Sequence, residues 1–399
     1  RNQISTSSDN SRGLDATYGG TIIADSTDIT TQGNHSAAIA TDRGGGNVSV
    51  TNSDLSTAGS GSPLLYSTGD IEVNNVTGTA SGSQIAGMEG LNKLLICNST
   101  LSSTNNAISG SDPIKNGVII YQSTSGDADT SASEKARFEA DNSRLSTSID
   151  SGSFFYVTNT DADILLSSST LSFDSDKVNL LQVEGNDSNN WGTAGSNGAT
   201  VKFTGISETL SGNISVDSIS SATVFLLNGT TYTGSTSIKE NAVNTEKTDT
   251  PLTMNVSSDS SWIVTSDSEV TDLNVEDGGK IVDSDGKTVS IVQNGKTIVD
   301  GNSEYTVTVN RNYGTSFETD QENELSSDYI DRSQFDSAYG VSTSFTDETS
   351  TSDDSSAFEI KAEETTEDDN SLVYPLVGVA SIVAVGGVIF FISKKKKEK

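Results

Sequence analysis

The stretch Lys93-Leu94-Leu95-Ile96-Cys97-Asn98-Ser99-Thr100-Leu101 carries the pattern that decides the fold. Leu94 and Ile96 are apolar and two apart, Asn98 is a polar corner, and Leu101 reopens an apolar position. Period-two alternation is the strand signal, and a polar residue between two short strands marks a bend. The same frame starts at Ile22, Val48, Ile71, Leu94, Phe138 and Ile164. Its second positions are Ala24, Val50, Val73, Ile96, Ala140 and Leu166, all apolar. The corner is Ser26, Asn52, Asn75, Asn98, Asn142 and Ser168, and three residues on come Ile29, Leu55, Gly78, Leu101, Leu145 and Leu171.

A third strand per unit is expected near Ile39, Leu65, Met88, Ser111, Phe155 and Leu181, seventeen positions after each start. The starts are spaced 26, 23, 23, 44 and 26 residues apart, and the 44 reads as about two units spanning an irregular stretch near Asp112 to Ser133. Units with three short strands and polar corners cannot bury their inward faces alone, so they stack. The expectation is an all-β parallel β-helix in which Asn52, Asn75, Asn98 and Asn142 form a side-chain ladder. Asn suits that corner because it tolerates left-handed backbone angles and its amide can bond to the copies above and below.

The coil repeats are expected over 1–235. From 236 to 310 the turns tighten at Asp277-Gly278-Gly279-Lys280, Asp285-Gly286-Lys287 and Asn294-Gly295-Lys296, which predicts further rungs or a capping β region. Ser261-Trp262-Ile263-Val264, Asp267-Ser268-Glu269-Val270 and Leu273 resemble the C-terminal rungs of bacterial adhesin-like β-helix proteins of the pectin-lyase-like superfamily. The repeats from Ile22 to Leu181 resemble the same class. That resemblance implies a right-handed coil on a prokaryotic surface protein, with no single activity attached.

Between 311 and 370 the frame disappears. The stretch 310–370 holds 17 acidic residues against Arg311, Arg332 and Lys361, the composition of a disordered, self-repelling stalk. Tyr329, Phe335, Tyr339 and Phe345 read there as scattered linker aromatics, with a docking motif as the alternative. Leu372 to Ile392 then offers 21 residues without a charge, against the roughly 20 apolar residues needed to cross a bilayer. A transmembrane helix is expected over 371–393, with Leu372, Tyr374, Phe390, Phe391 and Ile392 in the lipid or its interface. The tail 394–399 opens with Lys394, Lys395, Lys396 and Lys397, which by the positive-inside rule stays cytoplasmic and leaves the N-terminal ectodomain extracellular. The expected localisation is the cell membrane, single-pass, with the lipid bilayer as one partner.

The chain carries 23 basic and 55 acidic residues, a net charge of −32, which repels nucleic acid. Cys97 is the single cysteine, so no intramolecular disulfide is available, and its place beside Ile96 points it away from the core. His35 is the single histidine and reads as a loop residue between strands. A lyase would need acids with a nearby base, but Arg43, Lys93, Arg137 and Arg144 share no single offset. Asp283-Ser284-Asp285-Gly286 lacks the remaining ligands of a calcium loop and reads as a turn. The sequence therefore selects no catalytic residue, cofactor or metal ligand. It favours an adhesin-like rod that binds glycans or proteins of a host or neighbouring cell. A surface polysaccharide lyase or glycoside hydrolase and a structural coat component are the alternatives.

Overall fold

The computed structural model describes residues 1–126, 128, 135–343 and 345, with the backbone alone of 388–392. The chain winds into stacked coils, each laying one strand on each of three faces. Thr77–Ala80, Ala86–Glu89 and Lys93–Cys97 form one such coil. Seven strands from Asn2–Thr6 to Thr170–Ser172 make the first face, and four more from Thr209–Ser211 to Lys280–Asp283 take its place in the later coils. Nine strands make the second face, from Leu14–Thr17 to Thr236–Lys239. The third face is a fourteen-stranded sheet. Pairing between coils is parallel, so the architecture is the expected parallel solenoid.

Stacking places like residues above one another. Ile22, Val48, Ile71, Leu94, Phe138 and Ile164 are register partners in sequence on the third face, all turned into one core. Phe203 and Val224 extend the row. Ser26, Asn52, Asn75, Asn98, Asn142 and Ser168 all have φ between +45° and +55°, the left-handed region that Asn tolerates best among residues with a side chain. The amides hydrogen bond between coils in a broken line. Asn75 donates to Asn52 and Asn142 to Asn98 at 2.6 Å, while Asn98 donates to Asn74 and Asn52 to Asp25.

A second ladder runs one residue further on. The backbone N–H groups of Thr27, Val76, Ser99 and Ser143 donate to the hydroxyls of Ser53, Ser99, Ser143 and Ser169 in the next coil, each at 3.0 Å. Ser169 N–H then meets Glu208 instead, at 2.7 Å to Oε1, leaving Oε2 buried without a partner. Burial pushes the Glu208 carboxyl from the usual 4.5 up to about 7. A raised folded-state value means stability that is present in full below pH 4.5 and lost as pH rises through 7, on the order of 3 kcal/mol for this group. Glu208→Gln keeps the acceptor and removes the charge. Melting curves at pH 5 and pH 8 are expected to show the variant more stable than the parent at pH 8, with a smaller gap between the two pH values; an unchanged gap would contradict this.

Two details of the repeat differ from expectation. The 44-residue spacing is one coil and not two, because Leu94 pairs directly with Phe138 and the extra residues leave the stack as loops. On the second face the core row is Leu14, Ile39, Leu65, Ala86, Val118, Phe155, Leu181 and Ile214, so Met88 and Ser111 are not its members. The loop from the first face to the second varies in length, which a constant offset cannot follow. The region 236–310 continues the coils and ends in an antiparallel hairpin, Ser290–Gln293 with Lys296–Val299, at the edge of the third face.

The larger correction concerns the stalk. Residues 311–314 complete the strand Thr306–Gly314, and residues 315–343 then run back across the outside of the third face toward the first coil. Phe317 packs edge-on to Phe225, Asn323 donates to Thr204 at 2.8 Å, and Ser326 N–H reaches Glu139. Ile330 N–H reaches Glu72, and Arg332 reaches Ser49 and Ala24. Phe317 to Arg332 thus crosses seven inter-coil steps, about 34 Å at ~4.8 Å per step, within the ~50 Å reach of a fully extended chain of that length. The outward row beneath this strap is buried, from Ile23 and Leu95 to Leu165 at 0 % and Phe225 at 6 % exposure. Phe335 at 1 % closes the far end, and Tyr329 stacks on Phe345. These aromatics are docking residues.

Charge averaged over 310–370 hid this, since the strap acids meet cations held by the coils. Lys93 pairs with Asp328, Lys135 with Glu322, and Lys202 with both Asp320 and Glu322. Of the expected membrane helix, Leu372 and Tyr374 lie outside the described residues, as do Lys394, Lys395, Lys396 and Lys397. Val388–Ile392, which includes Phe390, Phe391 and Ile392, is a strand paired antiparallel to Gly20–Asp25 and not a helix. The edge of the first coil offers unpaired backbone groups that an extended segment can satisfy. Among the described residues no helix is long and apolar enough to cross a membrane.

Candidate functional site

Outward residues of the second face form the row Asp15, Ala40, Tyr66, Gly87, Ile119, Tyr156 and Gln182. Gly87 leaves a gap in that row between two bulky neighbours. Loops close the gap into a cleft of about 190 Å³, with Gly87 on its floor, Tyr66, Ile119 and Tyr121 at its sides, and Ser109 to Asp112 along one wall. His35 and Gly61 also line the cleft, with Gly61 beside Gly110 of that wall. A Cβ added at Gly87 would stand 3.6 Å from Tyr66 and 3.7 Å from Ile119, ordinary contacts, so the floor is open for lack of a side chain and not through a close approach of its neighbours.

The walls are braced from behind. Tyr66 and Tyr121 both donate their phenol protons to Glu89, at 2.8 and 3.3 Å, and the hydroxyls of Ser123 and Ser125 reach its other oxygen. Burial and the Glu89 charge push both phenols above their ordinary range, so they stay neutral donors. Trp191 of the loop 184–199 stacks on Tyr121 at 4.4 Å between ring centres and packs against Ile119 and Tyr156. Asn189 of the same loop bonds the Ser111 carbonyl at 2.6 Å. Arg12 lies over the Tyr66 ring at 5.9 Å and is held by Asp15 and Asp42.

Asp112 is the carboxyl group that lines the cleft. Burial raises its carboxyl to about 7, although Asn116 and Gln84 donate to it at 2.8 and 3.0 Å. Near neutrality it can accept a hydrogen bond or, protonated, donate one. The cleft thus offers an aromatic wall, a small apolar floor and a few convergent polar groups, the usual make-up of a small-molecule site. Its volume is below the ~300 to 1,000 Å³ of sites for drug-sized ligands, so it suits one compact unit such as a single sugar ring.

Sequence reading placed His35 in a loop, and it is a turn residue with φ +52° that also lines this cleft. Of the four scattered basics, Lys93 and Arg137 are register partners beneath the strap, while Arg43 occupies a left-handed turn and Arg144 lies outward on the first face. Arg137 holds the Glu322 and Glu324 carbonyls. Asp283 accepts the N–H groups of Asp285 and Lys287, which closes a turn. Among the described residues no group of three or more His, Cys, Asp or Glu is placed to hold a metal ion.

Tyr66, Gly87, Asp112 and Trp191 were not singled out by the sequence. The signals existed as outward positions: Tyr66 ends the run Pro63-Leu64-Leu65-Tyr66, and Gly87 sits between inward Ala86 and Met88. Their convergence depends on loop paths that the repeat does not specify. No family model, no curated protein and no solved structure matches the chain.

Proposed function

We propose that this chain is a surface-displayed, adhesin-like binding rod whose cleft at Gly87 takes a single sugar unit of a host or neighbour-cell glycan. The supporting observation is the braced aromatic wall of Tyr66 and Tyr121 around a floor without a side chain. Sugar rings present C–H faces that pack on aromatic side chains and hydroxyls that bond to groups such as Asp112 and Gln84. On this reading the coil is right-handed, as in the pectin-lyase-like superfamily that its repeats resemble. On the same reading the segment 371–393 anchors the chain in a cell membrane as a single span once Val388–Ile392 leaves the edge of the first coil, with 394–399 cytoplasmic and the rod outside. The acidic remainder up to 370 spaces the rod from the bilayer.

The test is retention on a panel of neutral and acidic glycans, with polysaccharide chain length followed in the same samples. Retention of at least one glycan without chain shortening is expected. Shortening would replace the binding role with an enzymatic one, and no retention on any glycan would remove the glycan. Gly87→Thr is the companion experiment. Its side chain raises the floor of the cleft into the ligand's place without a backbone penalty and suits a strand better than glycine, so binding is expected to fall at least tenfold while the melting temperature holds or rises. Unchanged binding would move the site elsewhere.

A further inference from the structure

We propose that the outer surface of the third face is a peptide-binding groove for the strap sequence itself, filled in cis within one chain and in trans by the strap of a second copy. This is independent of the glycan reading, because it uses the opposite set of outward residues.

The strap does not join the sheet as a strand. It crosses the coils and is held through side chains, which makes it a ligand of the groove. The groove reads its backbone: Glu139 accepts Ser326 N–H with both oxygens, at 3.0 and 3.1 Å, and Glu72 accepts Ile330 N–H with both, at 3.2 and 3.0 Å. It also reads charge, since Lys93, Lys135 and Lys202 form a basic rim on a strongly acidic protein and face strap acids. At the far end Arg332 is 5 % exposed and donates to the Ser49 carbonyl at 2.9 Å, its hydroxyl at 2.7 Å and the Ala24 carbonyl at 3.1 Å. Phe335 is buried beside it.

A second copy carries the same ligand, so it is the one partner whose fit is already shown in full. The connection from Gly314 into the strap passes through exposed residues at 315, 316 and 318–320, and leaves room for a hinge. Exchange of an identical element between copies keeps every contact and requires only crowding enough to compete with the tethered strap. Salt weakens the exposed rim pairs and is the means to open the strap in solution.

The single cysteine reports on the groove. Cys97 lies under the strap beside Tyr329 and is 7 % exposed, with its thiol pushed up to about 12 by burial and neighbouring acids. The experiment uses the full chain in detergent micelles and a synthetic peptide of residues 315–345. In an Arg332→Ala/Phe335→Ala double variant, Cys97 is expected to react with a thiol reagent at least tenfold faster than in the parent at the same pH. Saturating native peptide should restore the slow rate, and peptide carrying Arg332→Ala should not. Parent chains labelled with two dyes, mixed at high salt and returned to low salt at high concentration, should yield mixed dimers by light scattering and energy transfer. A peptide that leaves the thiol rate unchanged overturns the groove, and mixed dimers that never form overturn the exchange. Should the double variant lose its strand signal by circular dichroism, capture of labelled peptide by the parent chain during the same salt drop decides in its place.

Discussion

Replacing Arg332 by Ala is expected to free the strap while leaving the coils wound. The guanidinium makes five hydrogen bonds, two of them to backbone carbonyls at Ser49 and Ala24 and three to hydroxyls at Ser49, Thr51 and Thr343. Truncation leaves those acceptors buried without their charged donor, a loss of about 3 kcal/mol or more. The far end of the strap then depends on Phe335 and on rim pairs that individually contribute about 1 kcal/mol or less. Hydrogen exchange over 320–343 is expected to lose its protection in the variant, with the coil strands Leu94 to Cys97 and Phe138 to Asp141 protected as before. Arg332→Lys should recover little, since an ammonium cannot span acceptors placed around a planar fork. Unaltered protection over 320–343 in the Ala variant would show that the latch lies elsewhere. Burial raises the Glu72 carboxyl to about 7 and also raises Glu139, although the Ile330 and Ser326 N–H groups favour the ionised forms, so the folded chain as a whole loses stability at Glu72 as pH rises through 7 and Glu139 acts in the same direction.

Phe155→Ala is expected to have the largest effect on the rod itself. Phe155 is fully buried, edge-on to Phe138 at 5.3 Å and to Phe203 at 6.0 Å, with Phe154 tilted against it at 5.1 Å. Removing such a ring costs about 3 to 5 kcal/mol through lost burial and the cavity left behind. In a stack, stability is a sum of coils and nearest-neighbour interfaces, so the damage is local to the middle of the rod. Thermal denaturation by circular dichroism is expected to broaden or split, with the coils before Ser153 and after Val183 melting apart. A single transition at the parent temperature would contradict this account. Phe155→Leu retains most of the volume and should show a much smaller loss.

How much of this was legible in the chain varies from element to element. The inward rows of the first and third faces, the left-handed corners at Asn52 and Asn98 and the parallel stacking follow from offsets within a few residues, and the structure keeps them. The serine ladder was equally readable, because Ser53, Ser99, Ser143 and Ser169 each follow the corner residue. Gly78 also has a local-looking exception with a distant cause: Leu64 reaches to 2.8 Å of where its Cβ would stand, so the space of the missing side chain is filled from the second face. The oversized coil between Leu94 and Phe138 was misread, since a spacing near twice the period says nothing of whether the surplus forms a coil or leaves the stack as loops.

By itself the sequence determined the period, the inward-facing rows and the corners, because each coil is built from short-range alternation and repeats its neighbour's chemistry at the same offset. Only the tertiary structure decided the strap and the cleft. Arg332 meets Ser49 across 283 positions of chain, and the cleft joins loops that lie apart in sequence around the gap at Gly87. Composition counted the strap's acids as mutual repulsion. The fold sets them against lysines on three different coils, and whether like charge extends a segment or docks it depends on what lies opposite, which no local pattern records.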